Sequence, residues 1–296
     1  MTTAQVGRPR AVAEAVDAPG SRVGSPPARS PRTAVATRAT WSAAAWRVTG
    51  VVLVIALWEW LAARVANPAI LPAPGLVVRN AIENFGGSPA LAYLGLSETS
   101  YLGNLQYTAG VVLTAWAAGS MAGLVSGLLA ARVQWVRDLT EPVNYVFGVV
   151  PVLVAAPFFL IWFGFGSTGQ WVLVAFFSYV TVAGAGMVAA LAIPPRFEEY
   201  AATLGLGKWS RVRRIVLPQA LPSCLAALRV ALAAAWGLQT VAELMGSEAG
   251  MGRAIAVRTG TGDVASVMAL ILILGIVAVL ADLLFTVSTR KVLRWQ

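Results

Sequence analysis

Residues Glu199 to Pro218 read EYAATLGLGKWSRVRRIVLP, a basic insert between two long apolar stretches. Pro194 and Pro195 close the apolar stretch before it, and proline is well suited to the first position of a helix. The spacing then predicts a short helix over 196–204, with Glu198 and Glu199 in its first turn, where carboxylates complement the helix dipole. Ala201 and Ala202 keep one side of that helix thin enough to sit in a groove. Gly205 and Gly207 supply the chain reversal, because glycine tolerates positive φ. A second short helix is expected over 208–216, ended by Pro218. A helical hairpin of this kind, fixed at both ends to apolar stretches, projects from a membrane as a lever and places the chain in the all-α class.

Outward from the hairpin the apolar pattern repeats. Of 296 residues 58% are hydrophobic and 12% charged, against about 25% charged in soluble domains. Several runs exceed the roughly 18 apolar residues that cross a bilayer as a helix. Six transmembrane helices are expected near 47–65, 107–131, 143–163, 171–193, 221–244 and 264–287. Trp46, Trp58, Trp60, Trp135, Trp162 and Trp171 fall near their ends, as in interfacial aromatic belts. Residues 1–44, rich in Arg, Pro, Ser and Ala, have no apolar periodicity and read as a disordered basic tail. The membrane domain is expected over 45–296. With both termini cytosolic, eighteen of the 22 Lys and Arg residues lie on the inner side; only Arg64, Arg79, Arg253 and Arg258 lie outside. The bias of basic residues toward the cytosol selects this orientation and puts the 199–218 insert inside. It also accounts for the net charge of +9 without any nucleic-acid partner.

The composition excludes much chemistry. There is no histidine and one cysteine, Cys224, so His-based relays, disulfides within the chain and most metal sites are ruled out. Gly164-Phe165-Gly166-Ser167-Thr168-Gly169 fits a dinucleotide fingerprint by letters but lies between two spans, not between a strand and a helix. Gly207-Lys208 lacks the earlier glycine and the following Ser or Thr of a phosphate loop. No catalytic residue, cofactor or metal ligand is therefore assigned. A polytopic membrane enzyme would need a nucleophile–base pair or a metal cluster at membrane depth. A stand-alone ion-coupled transporter would need several buried carboxylates and an internal repeat. Neither pattern is found.

Within the spans, Gln239 and Glu243 stand four residues apart on one helix face and are candidates for lining a pathway. The competing reading has them packing or gating the Gly246–Gly252 turn. Arg229 has Asp282 as a candidate ion-pair partner. Gly119-Ser120-Met121-Ala122-Gly123 and Gly184-Ala185-Gly186 offer the small-residue spacing that lets helices approach closely in lipid.

With Glu199, Ala201, Gly205, Ile215, Leu217 and Pro218 at their present spacing, the hairpin resembles the EAA loop of the permease subunits of ABC importers. It departs at Tyr200, where that family has the first Ala of its Glu-Ala-Ala. Leu71-Pro72-Ala73-Pro74, Ile161–Gly166 and Ala242–Gly246 are similar to the sulfonate, nitrate and taurine branch. The resemblance runs from about residue 46 to 294. It implies a type I importer permease fold in the cytoplasmic membrane. It also implies that Glu199, Ala201, Ala202, Gly205, Ile215, Leu217 and Pro218 couple to a separate ABC ATPase. The further partners it implies are an extracytoplasmic solute-binding protein and a second permease subunit, as a homodimer. The resemblance further implies that ATP binding closes the ATPases and that the loops switch access across the bilayer. The implied cargo is a small anion such as an alkanesulfonate, taurine or nitrate.

Overall fold

Prolines and glycines punctuate this chain, and the helices follow them. The computed structural model describes residues 36–292. The chain divides into two units, 1–53 and 54–296. The described part of the first is the N-terminal portion of α1 (Ala36–Val65). This helix starts ahead of the boundary expected at residue 44, since Ala and Arg are strong helix formers; the rest of the expected tail lies outside the described residues. In the second unit the Pro-rich 66–73 segment stays irregular until Pro74 opens α2 (Pro74–Glu83) as its first helical residue. The Trp58 indole donates to the Pro72 carbonyl at 3.0 Å, tying this segment back to α1. Next come α3 (Pro89–Tyr93), α4 (Tyr101–Ala130), α5 (Gln134–Val149), α6 (Val152–Phe163) and α7 (Ser167–Leu191). Then α8 (Pro195–Thr203) and α9 (Lys208–Arg211) lead through a π-helical stretch, Val212–Val216, into α10 (Leu217–Leu244), α11 (Met251–Gly260) and α12 (Val264–Val292).

Among the described residues five helices are long and apolar enough to cross a membrane: Ala45–Val65, Tyr101–Ala130, Ser167–Leu191, Trp209–Leu244 and Val264–Arg290. The remaining expected span, 143–163, is not one straight helix. It is the α5–α6 pair, bent by 113°. Pro151 has no N–H to continue the ladder and holds the preceding Val150 in an extended conformation (φ −67°, ψ 123°), so the helix breaks there. A second correction concerns Pro218, which does not end the second helix of the hairpin. The widened π-helical turn just before it relieves the clash that proline otherwise makes with the preceding turn, and the helix runs on into α10.

The tightest packing joins α4 to α7. A Cβ placed on Gly119, Gly123 or Gly127 would stand 2.0, 2.6 or 2.4 Å from the carbonyl oxygens of Ala175, Tyr179 and Ala183. Three glycines at four-residue spacing thus bring two backbones into direct contact, the contact that drives helix association where no water is available to be expelled. Around this seam Val112, Ala115, Leu160, Leu173, Val174, Leu232 and Trp236 are buried as one cluster. A second cluster, including Val77, Leu91, Tyr101, Met251, Ala254 and Leu270, packs α2, α3 and α11 over the end of the bundle where α4 begins. The α8–α9 hairpin sits where α4 and α7 finish, with Val216 buried beside Ala131, Ala190 and Ile193.

Candidate functional site

Three places among the described residues bear on the expected site residues and on the spaces within the bundle. The first is the hairpin. Helix α8 ends with the N–H of Gly205 on the Ala202 carbonyl (3.0 Å) and that of Leu206 on the Ala201 carbonyl (3.1 Å). This paired closure requires a left-handed residue at the reversal. Gly205 supplies it, with φ +74°. Glu199, Ala202, Gly205 and Leu217 are exposed, Ala201 is buried, and Ile215 and Pro218 are half-buried. The hairpin also exposes Tyr200 (70%), Leu204 (65%) and Trp209 (73%), which sequence reasoning did not select. The signal was present, since Tyr200 and Leu204 are large apolar residues one helical turn apart in a polar insert. Beneath the hairpin lies a cavity of about 490 Å³ bounded by Arg132, Leu191, Ile193, Glu199, Ala202 and Arg211.

The second place is the break between α5 and α6. A cavity of about 540 Å³ opens there against α7 and α10, with Asn144, Phe147, Pro151, Phe177, Ser178 and Thr181 among its walls. None of its walls carries a charged side chain. The Thr181 hydroxyl is satisfied by the Phe177 carbonyl at 2.8 Å. The Asn144 amide is not: its Nδ2 and Oδ1 are both buried without a hydrogen-bond partner, which costs about 1–3 kcal/mol per group. A polar residue in the apolar run Val143–Val154 was the available clue, and sequence reasoning missed it.

The third is a polar knot at the end where α10 meets α11. Glu243 is fully buried. Its carboxylate accepts from Thr108 Oγ1 (2.9 Å), Gln239 Nε2 (2.8 Å) and the Gly252 N–H (2.8 Å). Gln239 Nε2 also donates to Gln170 Oε1 at 2.7 Å. The turn between α10 and α11 is pinned from α4 as well, with Gly250 N–H on Asn104 Oδ1 (2.8 Å) and Met251 N–H on Thr108 Oγ1 (2.9 Å). Close approach leaves no room for side chains, since a Cβ on Gly250 would lie 2.3 Å from Glu243 Cδ. As placed, Gln239 and Glu243 line neither cavity; they join four helices and hold the Gly246–Gly252 turn. Asn104, Thr108 and Gln170 complete the knot from positions far away in sequence. On α10 and α12, Arg229 meets Asp282 in two bonds of 2.5 and 2.6 Å, pairing the two charges expected to find each other.

Among the described residues no group of His, Cys, Asp or Glu side chains could hold a metal. Over residues 119–294 the chain matches the binding-protein-dependent transport system inner membrane component family. A permease protein of Bacillus subtilis (strain 168) named for aliphatic sulfonates transport is 28% identical over 82% of this chain and 85% of its own length. A riboflavin transport system permease protein of Chloroflexus aurantiacus is 26% identical over 56% of this chain and 62% of its own length. Among solved structures, an inward-facing MetNI methionine ABC transporter aligns with a TM-score of 0.55 and 22% identity, covering 64% of this chain and 95% of that one; it supports the fold alone. The chain therefore belongs to the family of binding-protein-dependent inner membrane transport components. It is a non-enzymatic, multi-pass permease subunit of an ABC importer in the cytoplasmic membrane, working with an ATPase and a solute-binding protein.

Proposed function

We propose that this permease moves a small organic or inorganic anion, of the class of alkanesulfonates, taurine and nitrate, and that two copies form the pathway. The similarity to the sulfonate permease carries the substrate reading, because it extends over 82% of this chain and 85% of that relative. The riboflavin permease shares a shorter stretch. The hairpin from Pro195 to Pro218 is the coupling element, with Glu199, Ala202, Gly205 and Leu217 exposed toward the ATPase and Tyr200, Leu204 and Trp209 adding apolar contact. Val216, held between the ends of α4 and α7, passes movement of the hairpin to the two most closely packed spans. Alternating access then proceeds by rocking of these packed units. Residues 2–38 are dispensable for transport, and the working domain is the membrane bundle that follows.

The test is reconstitution in proteoliposomes with its partner ATPase and solute-binding protein. ATP-dependent uptake of labelled taurine and ethanesulfonate is measured, with riboflavin as the contrasting solute. Uptake of a sulfonate but not riboflavin supports the substrate class, and the reverse refutes it. ATP hydrolysis by the purified chain alone would contradict its role as the permease.

A further inference from the structure

We infer that the solute-binding protein docks on the surface formed by the 88–99 loop and the Gly246–Gly252 turn, with the Tyr93 ring as its apolar contact and Glu98 and Glu248 as its charged ones. The inference rests on the transport reading above, with the hairpin on the cytosolic side, and adds the receiving surface at the opposite end of the bundle. The hairpin sits where α4 finishes, whereas this loop leads into the start of α4. The loop is built rather than slack. Its neck is closed by the Ser88 N–H on the Thr99 carbonyl at 2.7 Å. Leu91 and Leu96 are buried beneath it, and Gly95, with φ +73°, turns the chain at the end of α3. Arg258, buried and 3.2 Å from Asp263, donates to the Ser88 hydroxyl at 2.8 Å. A compact loop closed at its ends and packed by its own side chains is a common form of functional surface.

This mount presents Tyr93, which at 91% is the most exposed large hydrophobic side chain among the described residues. Tyrosine is enriched among the residues that dominate binding at protein interfaces. The Ser97 hydroxyl donates to the Glu248 carbonyl at 2.9 Å, which makes loop and turn one surface. Glu98 lies over Gly103 at the start of α4. Glu98 and Glu248 are exposed, and neither has an ion-pair partner among the described residues. Their charge decides the occupant. Two free carboxylates repel acidic lipid headgroups, and an identical surface on a two-fold-related copy would bring like charges together. They fit a soluble partner that presents Lys or Arg around a pocket for the ring. The surface also reaches the working parts. The turn is pinned by Glu243, Asn104 and Thr108. It directly follows the helix that runs unbroken from Trp209 of the hairpin to Leu244. Docking at the turn therefore acts on the same rod that ends at the ATPase.

The experiment uses the complete transporter in nanodiscs with its purified binding protein, empty and loaded with taurine. Tyr93→Ala is expected to weaken binding by about tenfold or more, the scale of an interface hot spot, while Tyr93→Phe stays close to wild type. Glu248→Lys is expected to slow association severalfold at low salt, a difference that closes at high salt, and Glu98→Lys adds to it. These variants keep the wild-type melting temperature and retain the ATPase, while stimulation of ATP hydrolysis by the binding protein falls in step with affinity. In a Cys224→Ala background, Tyr93→Cys should react with a charged, membrane-impermeant maleimide and be protected by the binding protein. Failure to react would place the loop in lipid and overturn the inference, as would wild-type affinity in both Tyr93→Ala and Glu248→Lys. If taurine-loaded and empty binding protein behave alike and no sulfonate is taken up, the substrate proposal fails, and the affinity series still decides the surface.

Discussion

Replacing Gly205 with valine tests the coupling hairpin by conformation alone. A Cβ at this position would meet no atom within 4 Å, so the substitution creates no steric clash with neighbours. What it strains is the backbone, because Gly205 has φ +74°, a region that disfavours side chains and β-branched ones most. Such strain costs on the order of 1–3 kcal/mol, enough to shift the population of the native turn by about 5- to 150-fold. The hydrogen bonds at risk are those closing α8, from Gly205 and Leu206 to Ala202 and Ala201. Their loss would reorient Tyr200 and Leu204 relative to Trp209. The membrane seams are remote from this turn, so insertion and abundance should be unchanged while uptake falls at least severalfold and less ATPase co-purifies. Gly205→Asn is the control, since asparagine tolerates the left-handed region and should retain most activity. Uptake and ATPase capture are measured in cells with matched permease abundance. Wild-type transport by Gly205→Val would refute the hairpin as the coupling element. Equal failure of the valine and asparagine variants would show that φ is not what matters.

Glu243→Ala removes the acceptor shared by Thr108, Gln239 and the Gly252 N–H and should destabilise the protein by several kcal/mol, at about 1–3 per buried group left unpaired; Glu243→Gln should be milder, and fluorescence-detected thermal unfolding in detergent ranks them. Gly123→Leu pushes a side chain into the Tyr179 carbonyl, 2.6 Å from the Cβ position, and should cost about 1–3 kcal/mol or more by overpacking, read as lower melting temperature with loss of uptake; Gly110→Leu, where no atom stands within 4 Å, should be tolerated. Reporter tags at residue 20 and after residue 296 should both signal cytosol and one within 80–90 the exterior, following the bias of basic residues. An external C-terminus would mean that the α5–α6 pair does not cross the membrane.

Local rules were sufficient for much of this chain. The long apolar runs near α1, α4, α7, α10 and α12 declared themselves by length and composition, and the hairpin by its prolines, first-turn carboxylates and Gly205, because each depends on neighbours within a few residues. Where a local rule met a competing local geometry, it failed: Pro218 looked like a stop, yet the preceding π-helical turn lets the helix continue. Pro151 lay inside a run apolar enough to read as one span, and the 113° bend came from the missing N–H and the extended residue before it. The cavity and the knot required tertiary structure. Glu243 and Gln239 could be placed on one helix face from spacing alone. That they meet Thr108 and Gln170, and that the Asn144 amide finds no hydrogen-bond partner, depends on the register at which α4, α5, α7 and α10 pack. That register is set where the α4 glycines let the α7 backbone approach, a contact between segments more than fifty residues apart that no local pattern encodes.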